Sequence, residues 1–258
     1  MKMKLGFIGT GHISKAVVEG ILGSKIKFSK IYLSKRNKKI SSFLNKKSKK
    51  IVIVDKNQDI INKSNWIFLA VTPAVGNKIL KNLKFKKNQT IISFISTIKM
   101  NELKKIIKTK SQIVRAIPLP FISLRKGPVP IFPPNRKVKS FFDKLGTSLE
   151  IKNEKLSLNF WSLSSMMAPF YKLLETLTNW LISKGIKKQD AQKYITSLFL
   201  ALSADAVNKS SKGLDVLVKN SQTPKGLNQQ ALNELKKLGF FKHLVRTSNS
   251  ILKRLKKV

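Results

Sequence analysis

The first 153 residues alternate short apolar runs with amphipathic stretches, and this alternation predicts strands separated by helices. The predicted strands are Leu5–Ile8, Lys30–Leu33, Ile51–Val54, Trp66–Ala70, Thr90–Phe94, Ile113–Ala116 and Ser148–Ile151. The predicted helices are Ile13–Leu22, Lys38–Asn45, Gln58–Lys63, Val75–Lys81, Asn101–Ile107 and Val138–Leu145. Such alternation favours a doubly wound parallel sheet, and therefore an α/β domain over residues 1–153.

Six prolines interrupt this pattern between residues 117 and 134. Proline fixes φ and lacks an amide N–H, so extended or turn backbone is favoured there. We expect this segment to be a rigid connection and not a helix.

From residue 154 onward the apolar positions recur at helical spacing, which predicts an all-α domain over residues 154–258. The predicted helices are Leu156–Ser164, Pro169–Lys184, Lys188–Ser210, Leu214–Val218, Gln229–Leu238 and Phe241–Leu255. The long helix Lys188–Ser210 is apolar on several faces, more than its own small domain can cover. We expect burial against a second copy of the chain, with burial inside one subunit as the alternative.

Composition limits the classes of function. The chain has 258 residues, 42% of them hydrophobic, which is enough to build a core. No apolar run is long enough to span a bilayer, and strand residues begin almost at once, so we expect no membrane span, no signal peptide and a cytoplasmic location. Because there are no cysteines and only two histidines, no metal site is predicted.

The formal net charge is +40, from 52 Lys and Arg against 12 Asp and Glu. Such a charge raises the possibility of nucleic-acid binding. The lysines are nevertheless spread over every segment and form no single arm or stripe. We therefore expect a generally basic surface that attracts polyanions weakly and in a salt-dependent way, with no specific nucleic-acid partner.

The first predicted strand runs into a glycine turn and then into a helix. Gly9 permits the tight turn, Gly11 lets the backbone approach a pyrophosphate, and Ser14 is small where helix meets strand. The start of the helix directs its N–H groups and positive dipole end toward the phosphates. These features are typical of a dinucleotide-binding βαβ unit. The predicted cofactor-binding residues here are Gly9, Thr10, Gly11, His12 and Ile13.

The second strand ends in Ser34, Lys35 and Arg36, without an acidic residue. NAD sites usually place Asp or Glu at this point for the ribose 2′-hydroxyl, whereas NADP sites use hydroxyl and basic groups for the 2′-phosphate. We therefore expect these three residues to bind NADPH, with NADH possible. Since 52 residues are Lys or Arg, a basic residue here by chance is the alternative.

Three motifs, in this order and spacing, resemble those of the pyrroline-5-carboxylate reductase family. They are Gly9-Thr10-Gly11-His12-Ile13-Ser14 (family GxGxMA), Leu69-Ala70-Val71-Thr72-Pro73 (family LAVKP) and Gly185-Ile186-Lys187-Lys188-Gln189-Asp190-Ala191 (family GLPxxxA). The resemblance implies an N-terminal Rossmann domain and an all-helical dimerisation domain, assembled as a homodimer or a higher oligomer of dimers. It also implies NAD(P)H-dependent reduction of a small cyclic imino acid, in the family pyrroline-5-carboxylate, to proline.

The resemblance further implies where the nicotinamide and the substrate bind. It places the nicotinamide near Ala70, Val71, Thr72, Pro73 and Ser96. The family's substrate loop TSPGGTT corresponds here to Gln222-Thr223-Pro224-Lys225-Gly226-Leu227-Asn228. The implied catalytic residues are Thr223 and Asn228, and the implied substrate-binding residues are Lys225, Gly226 and Leu227.

Departures from the family motifs leave alternatives open. The family's MPNTP corresponds to Ile117-Pro118-Leu119-Pro120, which has no asparagine, so the resemblance is to a divergent branch of the family. Lys225, where the family has glycine, either binds an acidic group of the substrate or is one more surface lysine. A β-hydroxyacid-dehydrogenase-like reductase using Lys172 is a second possibility. A non-catalytic nucleotide- or polyanion-binding derivative is a third.

Overall fold

The computed structural model of the protein describes residues 3–108 and 110–256. The chain forms two compact units, the first ending at Phe160 and the second beginning at Trp161. The sequence-based boundary between residues 153 and 154 stays a prediction. The predicted helices and strands agree with the structure to within three residues at each end.

An eight-stranded sheet forms the centre of the first unit. Its strands are β1 (Met3–Ile8), β2 (Phe28–Ser34), β3 (Ile51–Val54), β4 (Trp66–Leu69), β5 (Thr90–Ser93), β6 (Gln112–Ala116), β7 (Pro128–Phe132) and β8 (Thr147–Glu150). The strand order is β3-β2-β1-β4-β5-β6-β7-β8. The chain thus leaves β1 in one direction and returns on its other side at β4. Ligands of open α/β sheets bind outside the carboxyl ends of the strands at such a switch point.

Helices on the two faces of this sheet bury its apolar side chains. They are α1 (His12–Leu22), α2 (Lys38–Lys47), α3 (Asn57–Lys63), α4 (Pro73–Ile79), α5 (Met100–Ile107) and α6 (Arg136–Phe142), and α7 (Glu154–Ser164) crosses the boundary between the units. Five aromatic rings pack against one another within one cluster of the core: Phe7, Trp66, Phe68, Phe94 and Phe141. The expected α/β doubly wound Rossmann domain is confirmed.

The proline-rich segment differs from our expectation. It contains a short 3₁₀ helix, Pro120–Leu124, and the strand β7, so it is not merely a connection. β7 pairs antiparallel with β6 and parallel with β8, which makes the sheet mixed. Pro128 and Pro130 lie two residues apart, so their missing N–H groups fall on the same edge of the strand. Carbonyl groups still pair there, since the Ile117 N–H donates to the Pro130 carbonyl at 3.2 Å.

The second unit is entirely helical, as expected. Its further helices are α8 (Met167–Ser183), α9 (Lys188–Asn208), α10 (Leu214–Asn220), α11 (Leu227–Lys237) and α12 (Phe240–Lys256), with a 3₁₀ turn at Ser210–Lys212. Among its described residues, the buried apolar side chains are Ala191 and Ile195. Many large apolar side chains are exposed instead, including Tyr171, Trp180, Tyr194, Leu200, Leu202 and Val207. A helical unit with so little buried apolar surface needs further cover.

A search of the described helices for a membrane span finds none that is both long enough and apolar enough.

Candidate active site

A glycine loop joins β1 to α1 at the carboxyl end of the sheet. Gly9 has φ of +95°, a conformation that strains any residue with a side chain. A Cβ on Gly9 would also lie 2.5 Å from the Ala70 carbonyl oxygen, so the loop passes directly over the end of β4. Gly11 is the N-cap of α1, and no atom lies within 4 Å of where its Cβ would be. The space beside the first N–H groups of α1 is therefore open.

Buried hydroxyl groups hold this loop from below. The Gly9 N–H donates to Ser34 Oγ at 3.2 Å, and the Thr10 hydroxyl donates to the Ser34 carbonyl at 2.8 Å. The hydroxyl oxygens of Thr10 and Ser34 are 3.0 Å apart, and Ser14 Oγ donates to the Gly9 carbonyl at 2.6 Å. All three side chains are buried. The loop therefore has its conformation before any ligand binds, which lowers the entropic cost of binding.

A cleft of about 420 Å³ opens beside the loop. Its lining residues are Gly9, Thr10, Gly11, Arg36, Asn37, Ala70, Val71, Thr72 and Val75. They come from the glycine loop, from the segment after β2 and from the end of β4 into α4. Seven of the nine are among the thirteen residues predicted to bind the cofactor, and the structure brings these seven together.

Two lining residues, Asn37 and Val75, were not predicted. Asn37 follows Arg36 directly and caps α2, since its side chain accepts the Ile40 N–H at 3.1 Å. Val75 comes three residues after Thr72, so the two lie on one side of the chain as it enters α4. The available signal was their place in the sequence, because Asn37 extends one predicted segment by one residue and Val75 extends the other by two.

The other six predicted cofactor residues do not line the cleft. Ser34 lies below the glycine loop, and Ser96 lies in the loop after β5. Lys35 forms an exposed ion pair with Asp55, with Nζ 2.8 Å from Oδ1. The hydrogen bond and charge of Lys35 lower the pKa of the Asp55 carboxyl. The remaining three are His12 and Ile13 at the start of α1 and Pro73 at the start of α4.

In the second unit, the predicted substrate residues lie on a turn between α10 and α11. The Gly226 N–H donates to the Thr223 carbonyl at 2.9 Å and closes the turn. Pro224 is the second residue and Lys225, with φ of +61°, is the third. Proline followed by a residue with positive φ is the pattern of a type II turn, in which the third residue is usually glycine. Lys225 therefore occupies a position that disfavours a side chain.

The start of α11 continues this turn. Leu227 is its first residue and Gly226 its N-cap, without a side-chain cap. The Asn228 side-chain amide donates to the Ser221 carbonyl at 2.8 Å. Within the described residues, Asn228 Oδ1 accepts no hydrogen bond, so this oxygen is available to a donor from outside the chain.

Two family models match separate parts of the chain. The model described as NADP oxidoreductase coenzyme F420-dependent matches residues 4–97, which contain the glycine loop and the cleft. The model described as pyrroline-5-carboxylate reductase dimerisation matches residues 159–258, which contain α8 to α12 and the turn. The second unit therefore carries a dimerisation domain.

Curated relatives and solved structures agree with these matches. Pyrroline-5-carboxylate reductase of Staphylococcus haemolyticus (strain JCSC1435) is 23% identical over 245 residues, or 90% of this chain and 89% of that protein. Pyrroline-5-carboxylate reductase 3 of Danio rerio is 28% identical over 120 residues, or 45% of this chain and 41% of that protein. A crystal structure of Plasmodium falciparum pyrroline carboxylate reductase with NADP bound has the same fold, with a TM-score of 0.83 and 20% identity over 99% of this chain and 97% of that one. Over nearly its whole length the chain is therefore similar to pyrroline-5-carboxylate reductases.

Lys172, the residue on which a β-hydroxyacid-dehydrogenase-like mechanism would depend, lies on the surface of α8. Its Nζ is 2.6 Å from Glu175 Oε2, and the two side chains are 71% and 55% exposed. An exposed lysine in an i, i+3 ion pair with solvent around it has the environment of an ordinary helix surface. The geometry gives this alternative no support.

The buried hydroxyl of Ser34 leads to a prediction about stability. Ser34→Ala removes the acceptor of the Gly9 N–H and one partner of the Thr10 hydroxyl, both buried. We expect the free energy of unfolding, measured by urea titration without cofactor, to fall by about 1–3 kcal/mol. Ser42→Ala on the exposed face of α2 is the control and should change it by less than about 0.5 kcal/mol. Equal effects of the two substitutions would contradict the role of Ser34.

Proposed function

We propose that the protein is an NADPH-dependent oxidoreductase that reduces the C=N bond of pyrroline-5-carboxylate to give proline. The observation that supports this proposal is that one chain combines two features. One is a preformed glycine-loop cleft without an acid at the end of β2. The other is a helical unit of the pyrroline-5-carboxylate reductase dimerisation type. The names of the relatives, and the NADP bound in one of them, point to the same reaction and cofactor.

The cleft fits a dinucleotide phosphate on its own geometry. The open space at Gly11, beside the start of an eleven-residue helix, accepts a pyrophosphate between backbone N–H groups. Arg36 and Asn37 line the same cleft and supply donors for a ribose 2′-phosphate. Arg36 is the basic side chain among the lining residues, whereas Lys35 does not line the cleft and is paired with Asp55. NADPH is therefore favoured over NADH.

The side of the cleft formed by Ala70, Val71 and Val75 is apolar. It would hold the nicotinamide end and exclude water from it. When bound, the cofactor supplies the hydride; the chain supplies position and charge. An acceptor that is already a protonated imine needs little acid–base chemistry from the protein.

We assign the substrate contacts to the turn of the second unit. Asn228 Oδ1 would accept the imine N–H, since its amide group is already committed to Ser221. The Thr223 hydroxyl would be a further donor. The backbone N–H groups at the start of α11, from Leu227, would bind the substrate carboxylate over Gly226.

We further assign Lys225 to the carboxylate or to another acidic group of the substrate. A residue with a side chain at positive φ carries a conformational cost of about 1–2 kcal/mol. A glycine would avoid that cost at this position of the turn. The presence of a lysine there is accounted for if its charge binds substrate.

The finer assembly state also belongs to this proposal. We propose a homodimer, or a higher oligomer of dimers, formed through the exposed apolar side chains of α8 and α9. A symmetric interface repeats the same surface on both copies, so one apolar face covers the other. The dehydrogenase alternative is not favoured because Lys172 is exposed and ion-paired.

The direct test follows NADPH oxidation at 340 nm with pyrroline-5-carboxylate and with other cyclic imines. We expect turnover with pyrroline-5-carboxylate and formation of proline, measured as product. Turnover with another imine alone would reject the substrate. NADPH binding without turnover of any imine would favour the non-catalytic derivative.

The role of Asn228 can be tested in the same assay, with Asn220 as the control. Asn228→Ala should lower kcat at least about tenfold, because the donor on the imine loses its acceptor. Asn220→Ala, at the exposed end of α10, should leave kcat unchanged.

Arg36 should determine the cofactor preference. We expect Arg36→Ala to raise the Kd of NADPH about tenfold to a hundredfold by removing a charge-assisted pair, and to leave the Kd of NADH within about twofold. Both constants are measured by fluorescence titration. Lys38→Ala, the next basic residue and not part of the lining, is the matched control. Equal weakening of NADPH and NADH by Arg36→Ala would reject a contact with the 2′-phosphate.

Lys225 should affect substrate affinity and not folding. We expect Lys225→Met and Lys225→Gly each to raise the KM for pyrroline-5-carboxylate about fivefold to tenfold, with the Kd of NADPH unchanged, since one ion pair is lost. The glycine variant should be no less stable than the parent to within about 1 kcal/mol, because it relieves the positive φ. Lys219→Met on α10 is the control. An unchanged KM in both variants would identify Lys225 as an ordinary surface lysine.

A further inference from the structure

A buried arginine lies on β6, outside the lining of the cleft. Arg115 belongs to β6 and is 2% exposed. Its Nη2 donates to the Ser96 carbonyl at 2.6 Å, and its Nη1 donates to the Glu154 carboxylate. Burial lowers the pKa of the Arg115 guanidinium, and the charge of Glu154 acts in the opposite direction. The guanidinium therefore joins two segments that are far apart in the sequence.

Glu154 joins a third segment to this pair. It is the first residue of α7, and its Oε1 also accepts the Met100 N–H at 2.8 Å. Met100 is the first residue of α5, directly after the loop that contains Ser96. One carboxylate thus holds both the guanidinium and the end of that loop.

We call residues 94–99, between β5 and α5, the Ser96 loop. The loop is held to the core on its inner side by Ile95 and Ile98, which are 2% and 3% exposed. Their Cδ1 atoms lie 3.1 Å and 3.6 Å from the position of a Cβ on Gly76. Gly76 is in the middle of α4, so this helix lies directly on the loop. A shift of the Ser96 loop would therefore shift α4.

The helix α4 in turn forms one wall of the cleft. Val75 lines the cleft beside Gly76, and a Val71 methyl lies 3.4 Å from the Gly76 Cβ position. Val71 also lines the cleft. A continuous set of packed groups therefore leads from the Ser96 carbonyl to the apolar wall of the cleft, and close packing transmits such shifts.

We propose that Arg115 and Glu154 are positioning residues of the reductase site, which fix the Ser96 loop and, through it, the α4 wall of the cofactor cleft. Neither residue lines the cleft, so both act through the loop. The catalytic consequence of this proposal rests on the proposed function. The mechanical link from Arg115 through the Ser96 loop to α4 rests on the contacts alone. A planar guanidinium reaches two acceptors in fixed directions, whereas a lysine ammonium does not reproduce that fork.

The test compares three variants of the full chain. Arg115→Met/Glu154→Leu removes the buried guanidinium and its half-buried carboxylate partner. It leaves the Ser96 carbonyl without this donor and the Met100 N–H without this acceptor. Replacement of a buried ion pair by apolar residues often preserves stability, so the double variant should fold with a Tm within a few degrees of the parent. Arg115→Lys keeps the charge, and Lys139→Met removes a surface ion pair of the same unit as the control.

Three measurements separate positioning from a purely structural role. We expect amide hydrogen exchange in the double variant to rise in residues 71–79 and 94–99 and to stay unchanged in α1. We expect kcat to fall at least about tenfold while the Kd of NADPH stays within about threefold, because the glycine loop is untouched. For Arg115→Lys, both kcat and the exchange in residues 71–79 and 94–99 should lie between the values of the parent and of the double variant. Lys139→Met should match the parent.

Each outcome decides the proposal. Unchanged exchange in residues 71–79, in whichever of the double variant and Arg115→Lys is folded, overturns it. Raised exchange with the kcat of the parent also overturns the positioning role. If the parent itself turns over no imine, the proposed function fails, and the exchange pattern by itself supports or rejects the link between Arg115 and α4.

Discussion

The close approach of the loop after β1 to the end of β4 is the constraint on which the site depends. It requires Gly9, because a Cβ there would lie 2.5 Å from the Ala70 carbonyl oxygen. β1 and β4 are neighbours although β2 and β3 come between them in the chain, and this reversal opens the cleft. Ser34, at the end of β2, then fixes the loop through the Gly9 N–H. Three strands thus converge on one backbone position.

Much of this fold could be predicted from local pattern, because most strands are short apolar runs and most helices have an apolar face. The strand β7 could not be predicted from local pattern. Its prolines argue against a strand, and its pairing of Arg115 with Phe132 joins residues 17 positions apart, which local pattern does not reveal. The site followed the same rule. Gly9, Gly11 and Arg36 could be recognised as a motif, whereas the role of Lys35 depends on Asp55, which directly follows β3.

Acidic residues are scarce in this chain, 12 against 52 basic ones, and several of them are used twice. Glu154 holds both Arg115 and the Met100 N–H. Glu19 lies 3.8 Å from Lys15 and 3.3 Å from Lys47, on a surface where basic residues crowd together. In an ordinary protein a lost surface carboxylate costs little, since another partner is near. In this chain Glu19 and Glu154 each serve two groups, so the positions of these acids are more informative than those of the lysines.

The exposed aromatic and aliphatic side chains of α8 and α9 affect how newly synthesised chains fold and assemble. A unit whose apolar residues find cover on another molecule gains its stability by mass action, so that stability rises with the amount of protein present. A newly made chain would complete its nucleotide cleft alone, from local and strand contacts. Its helical unit would gain full stability when another molecule covers the exposed side chains of α8 and α9. The rate at which functional enzyme accumulates would then rise more steeply than the rate of synthesis, and a cell making few copies would hold disproportionately little of it.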